Sequence, residues 1–213
     1  MGSLILVRHA TTAASESGRN LGQRSDPPLA PGGRQLAARL AVTLAAELDE
    51  LPYDELRVLS SPALRCRQTA ATLAVVVDVA PDAIEVAPGL LEIDYGAWDG
   101  LTADECRARD PERRAAWEAD PYGTRCPDGE SGSDVARRAF AALEPIEAWL
   151  AADRARCAIV VAHNHVNRLR VCALMGWPMR EYRDRLAQEP GGYNLVTFGA
   201  DAPVVRRVNA PPG

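Results

Sequence analysis

Arg8 and His9 directly follow an apolar run, Leu4 to Val7. Such a run is typical of a short buried strand, and open α/β sheets bind their ligands in loops at the carboxyl ends of strands. An imidazole beside a guanidinium is suited to attack on an anionic group such as phosphate. For this pair alone, a strand that happens to end in two polar residues is the simpler interpretation.

The chain has only three histidines, and all three follow its two most apolar strand candidates. His9 ends the first run, while His163 and His165 come directly after residues 158–162. If both strands belong to one parallel sheet, their carboxyl ends open into the same crevice. This convergence favours a catalytic site.

Two further segments supply charged side chains. Arg65 stands in the first turn of a predicted helix, after a second strand candidate at residues 57–60. A guanidinium together with the amides of a helix start favours an anion. Glu92 lies in a loop with aromatic neighbours, where the pKa of a carboxyl group can rise and allow general acid catalysis.

The elements that must position these residues alternate along the chain. Strands are predicted at 4–7, 57–60, 83–86, 158–162, 193–198 and 204–208, and helices from 33 to 48, 61 to 77, 131 or 133 to 152, 166 to 175 and near 178 to 185. Residues 89–130 read as two short helices joined by loops. The pattern predicts an α/β three-layer sandwich with a mostly parallel central sheet flanked by helices. We expect a single domain over residues 1–213, with a small helical and loop cap inserted at about 93–130, over the carboxyl ends of the strands.

Composition narrows the function. The 213 residues are 47% hydrophobic and 25% charged, as in an ordinary globular protein. There is no lysine, which excludes P-loop, Schiff-base and pyridoxal-phosphate chemistry. The net charge of −5 argues against nucleic acid as a partner. No apolar run could span a membrane, and no signal peptide is recognised, so a cytoplasmic location is expected.

Together these residues make the chain resemble the histidine phosphatase superfamily, the phosphoglycerate mutase-like group, over nearly its whole length. The motifs that carry the resemblance, in chain order, are Arg8-His9, Ser60 to Ala70, Leu91 to Gly100, Pro127 to Ser131 and Ile159 to Asn164. Two positions depart from the family pattern. Ala10 replaces a usual glycine, which requires a backbone without positive φ, and Ser15 stands where asparagine is common.

The resemblance implies a phosphatase that needs neither metal nor cofactor and acts on a small phosphomonoester. His9 would form a phosphohistidine, Glu92 would serve as acid and then base, and Arg8, Arg65 and His163 would hold the phosphoryl oxygens. The substrate contacts are expected from Ser15, Arg19, Gln23, Arg24, Tyr95 and Asn164. His165 is predicted to be bonded to a neighbour rather than catalytic. A homodimer is left open.

Four other functions are alternatives to this phosphatase. A phosphoglycerate mutase is the nearest, although family mutases that use bisphosphoglycerate carry a lysine in the cap, for which Arg113 and Arg114 could partly compensate here. A cysteine-dependent phosphatase fails because none of the five cysteines is followed by arginine six residues later. A metallohydrolase could use His163, His165 and His9 with a carboxylate. A non-catalytic phospholigand-binding protein is the fourth.

Overall fold

A computed structural model describes residues 2–199 and 202–213. In this part of the chain, six strands form one sheet in the order β3-β2-β4-β1-β5-β6. The strands are β1 (Gly2–Arg8), β2 (Glu55–Ser60), β3 (Glu85–Val86), β4 (Arg156–Ala162), β5 (Tyr193–Phe198) and β6 (Val204–Ala210). Strands β1 to β4 run parallel to one another. Strand β5 pairs antiparallel with β1, and β6 pairs antiparallel with β5 at the edge of the sheet. The prediction of a mostly parallel sheet is confirmed.

The sheet is covered on both faces because its central strands are apolar on both sides. Leu4 and Leu6 of β1 pack into one buried cluster, and Ile5 and Val7 pack into a second one on the opposite face. This alternation follows from the two-residue period of a strand. Burial on both faces is the environment that a near-continuous apolar run predicts.

Helices cover the two faces and complete the three layers. They are α1 (Ala13–Glu16), α2 (Pro31–Asp49), α3 (Leu64–Val76), α4 (Ala103–Arg109), α5 (Pro111–Ala119), α6 (Gly132–Ala152) and α7 (Asn164–Leu174). The apolar sides of α2 and α3 share a cluster with Ile5 and Val7. Those of α6 and α7 pack with Leu4 and Leu6 on the other face.

Several predicted boundaries were wrong. Helix α3 begins at Leu64 rather than at Ser61, because the Ser61 hydroxyl bonds a distant histidine instead of capping the helix. Strand β3 keeps only two residues, since a 3₁₀ turn occupies 81–83. The predicted helix near 178–185 is reduced to the 3₁₀ turn Met179–Glu181.

The segment over the strand ends contains two short helices, as predicted. Thr102 caps α4 with its side chain, and Pro111 occupies the first turn of α5. Trp98 and Trp117 are buried and lie edge to face, with ring centroids 6.0 Å apart. Their burial joins this segment to the core beneath α6 and α7.

Candidate active site

A half-enclosed cavity of about 230 Å³ lies at the carboxyl ends of β1 and β4. Its walls are formed by Arg8, His9, Ser15, Gly18, Arg19, Asn20, Leu21, Glu92, Tyr95, Asn164, His165 and Arg183. Two strand ends, the loop that carries Glu92 and the start of α7 therefore meet at one place. The register of the sheet explains this meeting, because Arg8 of β1 pairs with Ala162 of β4 in parallel.

The tautomer of His9 is set by one backbone contact. Its Nδ1 lies 2.8 Å from the carbonyl oxygen of Ala10, which can only accept, so Nδ1 carries the proton and Nε2 keeps its lone pair. Burial lowers the pKa of His9 well below its usual value, and the positive charges of Arg65 and Arg8 add to this effect. His9 is therefore a neutral imidazole with a free ring nitrogen at the cavity.

Arg8 and Arg65 place two guanidinium groups beside His9. The Nη1 of Arg8 donates to the carbonyl of Gln188, and its buried Nε has no partner. Arg65 is 1% exposed and donates from Nη2 to the carbonyl of Gly22 at 3.0 Å. Its Nε is also buried and unpartnered. Each of the two side chains thus has one buried donor without an acceptor in the part of the chain that the structure describes.

His163 lies beside His9, with ring centroids 5.2 Å apart, but both its ring nitrogens are engaged. The guanidinium of Arg65 lies 3.3 Å from Nδ1, which must then accept, and Nε2–H donates to the Ser61 hydroxyl at 2.8 Å. Neither Arg65 nor His163 lines the cavity of about 230 Å³. His163 therefore lies behind the cavity wall, where its Nδ1 orients the guanidinium of Arg65.

Glu92 is the carboxylate of the cavity. It is 4% exposed, and its Oε1 accepts from the backbone N–H of Ile93 at 2.9 Å. The N–H of His165, in the first turn of α7, lies 3.3 Å from both carboxylate oxygens. Burial raises the pKa of Glu92 despite these donors and the nearby arginines. A raised pKa keeps more of this group protonated and able to donate.

Arg138 of α6 clamps the loop that carries Glu92. Its guanidinium donates to the backbone carbonyls of Gly89, Leu91 and Glu92, and to both carboxylate oxygens of Glu130. Arg138 binds the backbone of the loop and not the carboxylate of Glu92. It therefore fixes the point in the backbone from which the Glu92 side chain extends. The Glu92 carboxylate is therefore carried on a preorganised loop, which is the arrangement that a catalytic group needs.

Gly96 shows why this loop needs its glycine. Its φ is +57°, and an added Cβ would lie 1.8 Å from the carbonyl oxygen of Pro127. The turn at 127–130 also receives the N–H of Ala97 and donates from Glu130 to the carbonyl of Asp94, both at 2.8 Å. The acidic loop and the turn before α6, two separate motifs in the sequence, are thus one packed unit.

His165 is bonded to two tyrosines. Its Nδ1 lies 2.7 Å from the hydroxyl of Tyr182, and its Nε2 lies 2.9 Å from the hydroxyl of Tyr95. Burial, followed by the charges of Arg183 and Arg168, lowers the pKa of His165 well below its usual value. A neutral ring between two hydroxyls fits the interpretation that His165 is bonded to neighbours.

The departures from the family pattern are accommodated locally. Ala10 does not have the positive φ that would require glycine, and its N–H donates to the Thr69 hydroxyl. Ser15 lines the cavity, while its hydroxyl completes a capping box with Thr12. Arg19 also lines the cavity, but Glu105 pairs with its guanidinium at 2.9 Å.

The other expected contacts divide between the cavity and its surroundings. Tyr95 and Asn164 line the cavity, and the Oδ1 of Asn164 is buried without a partner. Gln23 instead donates to the carbonyl of Glu92 and to Glu130, and Arg24 faces Asp94 and Asp128. The structure therefore does not place Gln23 and Arg24 in the cavity wall, because backbone and acidic partners outside it hold their side chains.

Arg183 was not expected at the site. It lies within the short helix predicted near 178–185, of which only the 3₁₀ turn Met179–Glu181 forms, and nothing in that pattern pointed to the site. Its guanidinium lies 4.4 Å from the centroid of the Trp117 ring. Asn20 and Leu21 also line the cavity without having been expected. The sequence does not show that these three residues lie near His9 and His165, because only the folded chain brings them together.

The described residues lack the side-chain grouping that a metal site needs and the helix that a membrane span needs. Across residues 2–199 and 202–213, no three side chains of the His, Cys, Asp or Glu types are grouped to hold a metal ion. The ring nitrogens of His163 and His165 already have hydrogen-bond partners. Within the same ranges, no helix combines the length and apolarity needed to cross a membrane.

A neutral histidine, buried arginines and a carboxylate at the strand ends of a three-layer fold are suited to phosphoryl transfer. The model of the family described as histidine phosphatase superfamily (branch 1) matches residues 4–211. The chain belongs to this superfamily, whose phosphatase members support hydrolysis of phosphomonoesters by this chain.

Its relatives include proteins named as phosphatases. The chain is 30% identical over 184 residues to phosphoserine phosphatase 1 of Hydrogenobacter thermophilus. The match covers 85% of this chain and 80% of that protein. The structure of a mycobacterial glucosyl-3-phosphoglycerate phosphatase with VO3 superposes with a TM-score of 0.82 at 25% identity, covering 99% of this chain and 100% of that one. The chain also matches 34% of a longer protein, the bifunctional protein Rv2228c of Mycobacterium tuberculosis, at 40% identity over 138 residues.

Proposed function

We propose that the chain hydrolyses a small phosphorylated metabolite through a phosphohistidine on His9, without a metal ion. The observation that carries this proposal is the Nδ1–H contact to Ala10, which leaves the Nε2 lone pair of a neutral His9 in a cavity lined by Arg8 and Glu92. In the first step Nε2 attacks phosphorus, the bond to the leaving oxygen breaks, and protonated Glu92 supplies the proton that this oxygen needs. The positive charges of Arg8 and Arg65 offset the charge on the equatorial oxygens.

In the second step the same carboxylate acts as a base. Glu92, now ionised, takes a proton from water, and the water oxygen attacks the phosphohistidine. The bond between phosphorus and Nε2 breaks, free phosphate leaves, and His9 returns to its neutral form. His163 contributes by orienting Arg65. Direct contact of His163 with a phosphoryl oxygen would require its Nε2–H to exchange the Ser61 hydroxyl for that oxygen.

Two arginines that a mutase could use point elsewhere. Arg114 is buried against Trp98 and Trp117 and pairs with Glu118 at 2.9 Å. Arg113 lines two surface grooves outside the cavity of His9. A second alcohol substrate therefore finds little cationic support from the cap, which favours water as the acceptor.

Phosphate release tests this assignment directly. With 3-phosphoglycerate and a catalytic amount of 2,3-bisphosphoglycerate, we expect free phosphate to accumulate much faster than 2-phosphoglycerate, as measured by a phosphate assay and by NMR of the same mixture. Isomerisation that outpaces phosphate release would favour the mutase. Phosphoserine and glucosyl-3-phosphoglycerate, which the names of the two relatives suggest, belong in the same substrate panel.

Activity should survive removal of metal ions. Arg8 and Arg65 already supply the positive charge that a metal would bring to the phosphoryl group. After dialysis against EDTA, we expect the rate of p-nitrophenyl phosphate hydrolysis to stay within about twofold of the untreated rate. Loss of activity that zinc or manganese restores would instead support the metallohydrolase.

A further inference from the structure

One of the cations that line the cavity has no acidic partner among the residues that the structure describes. Three guanidinium groups line it, those of Arg8, Arg19 and Arg183, against the single carboxylate of Glu92. Glu105 neutralises Arg19 through an ion pair at 2.9 Å. Arg8 serves the phosphoryl end beside His9. The charge of Arg183 is left without an assigned partner.

Among residues 2–199 and 202–213, no carboxylate forms an ion pair with Arg183. The nearest acid before it in the chain, Glu181, pairs with Arg185 and lies 3.9 Å from Arg180. The Nε of Arg183 is buried and has no hydrogen-bond acceptor in the part of the chain that the structure describes. A buried donor without a partner destabilises the structure, and a ligand that accepts from it can recover this loss.

The position of Arg183 is held rigidly. Its guanidinium lies over the Trp117 ring, and Trp117 is buried against Trp98 and Tyr95. Arg168 of α7 donates from Nη1 to the backbone carbonyl of Arg183 at 3.3 Å. Stacking on an aromatic face is a preorganised use of arginine. The side chain is therefore fixed before any ligand arrives.

The cations in and behind the cavity wall form two pairs. The charges that lower the pKa of His9 are those of Arg65 and Arg8, after burial. Those that lower the pKa of His165 are chiefly Arg183 and Arg168, again after burial. His165 lies between Tyr95 and Tyr182, on the side of the cavity towards Trp117. One pair of cations thus lies near His9, and the other lies near His165.

We propose that Arg183 binds a second anionic group of the substrate, so that the enzyme acts on compact phosphomonoesters that also carry a carboxylate or a second phosphate. This inference rests on the proposed function, because it takes the phosphoryl group to be held beside His9. A carboxylate or phosphate matches the bidentate fork of a guanidinium, whereas a hydroxyl uses only one of its donors. Arg168 is the positioning residue behind it.

Matched substrates separate the second anion from the phosphoryl group. 3-Phosphoglycerate and glycerol 3-phosphate differ chiefly by a carboxylate, and fructose 1,6-bisphosphate and fructose 6-phosphate differ by a second phosphate. For each pair we measure the ratio of kcat/KM within one protein. Arg183→Gln should lower the ratio for the preferred pair about 10- to 100-fold, mainly through KM, the range of one hydrogen bond to a charged group. Arg183→Lys should recover part of it, and the pair that responds identifies carboxylate or phosphate.

Arg180→Gln is the matched control, because Arg180 is exposed and outside the cavity. It should keep both ratios within about twofold of wild type. Ratios that Arg183→Gln leaves unchanged in both pairs would overturn the subsite while leaving the phosphatase assignment intact.

Binding to a protein that cannot turn over separates the two proposals. By isothermal titration calorimetry, His9→Ala should bind the member of the preferred pair that carries the second anionic group more tightly than the member that lacks it, and His9→Ala/Arg183→Gln should lose this preference. Retained preference in the double variant would refute the subsite. If the single variant shows the preference but wild type releases no phosphate from any substrate, only the proposed function fails.

Discussion

His9→Ala should abolish turnover of p-nitrophenyl phosphate, by at least about a thousandfold, because removal of a covalent nucleophile leaves only the binding groups of the site. In the proposed first step, Nε2 of His9 is the atom that bonds to phosphorus. Steady-state rates measured with purified protein would give the size of the loss. Residual activity well above a thousandth of wild type would contradict the covalent mechanism.

A trapping experiment supports the interpretation of this loss. Wild-type protein that is denatured with base during turnover should carry the mass of one phosphoryl group, and the variant should not. Since His9 is buried, His9→Gln provides a second variant that fills more of the space. Far-UV circular dichroism and Tm would show that both variants are folded. A variant that is folded, inactive and still phosphorylated would place the nucleophile elsewhere.

Glu92→Gln should produce the second largest effect, and it should depend on the leaving group. An alkyl phosphate needs a proton on the departing oxygen, so its kcat/KM should fall about 10²- to 10⁴-fold, the usual contribution of a general acid. p-Nitrophenyl phosphate has a good leaving group, so its kcat/KM should fall much less. A burst of p-nitrophenol is expected, because the variant also lacks the base that activates water. Equal losses for both substrates would limit Glu92 to a positioning role.

The pH profile provides an independent measure of the same group. Because burial raises the pKa of Glu92, the protonated acid persists to higher pH than for an exposed glutamate, and activity towards an alkyl phosphate should fall as pH rises through this raised pKa. On the acidic side, activity should fall only once His9 is protonated, well below the usual histidine pKa. Glu92→Gln should remove the alkaline fall, whereas Glu144→Gln, an exposed residue of α6, should not. Comparison on one substrate cancels the substrate's own ionisation.

Much of the site followed from the sequence because its parts lie at the ends of local patterns. The apolar runs before His9 and His163 predicted strands, and parallel pairing of β1 with β4 brought their carboxyl ends together. Arg65 was expected near a helix start, and it lies in the first turn of α3. The α/β fold and membership of the superfamily are confirmed. The catalytic roles, the cytoplasmic location and a homodimer stay predictions.

The tertiary structure decided which partner each side chain takes. Gln23 was predicted from the sequence to contact substrate, but its side-chain amide donates to the backbone carbonyl of Glu92, 69 positions away. His163 bonds Ser61 across 102 positions, so it lies behind the cavity wall rather than in it. Arg183 reached the cavity without any local signal. Helix and strand periodicity depends on neighbours within a few residues, whereas hydrogen-bond partners are chosen by contacts between distant segments that exist only once the sheet and its helices have packed.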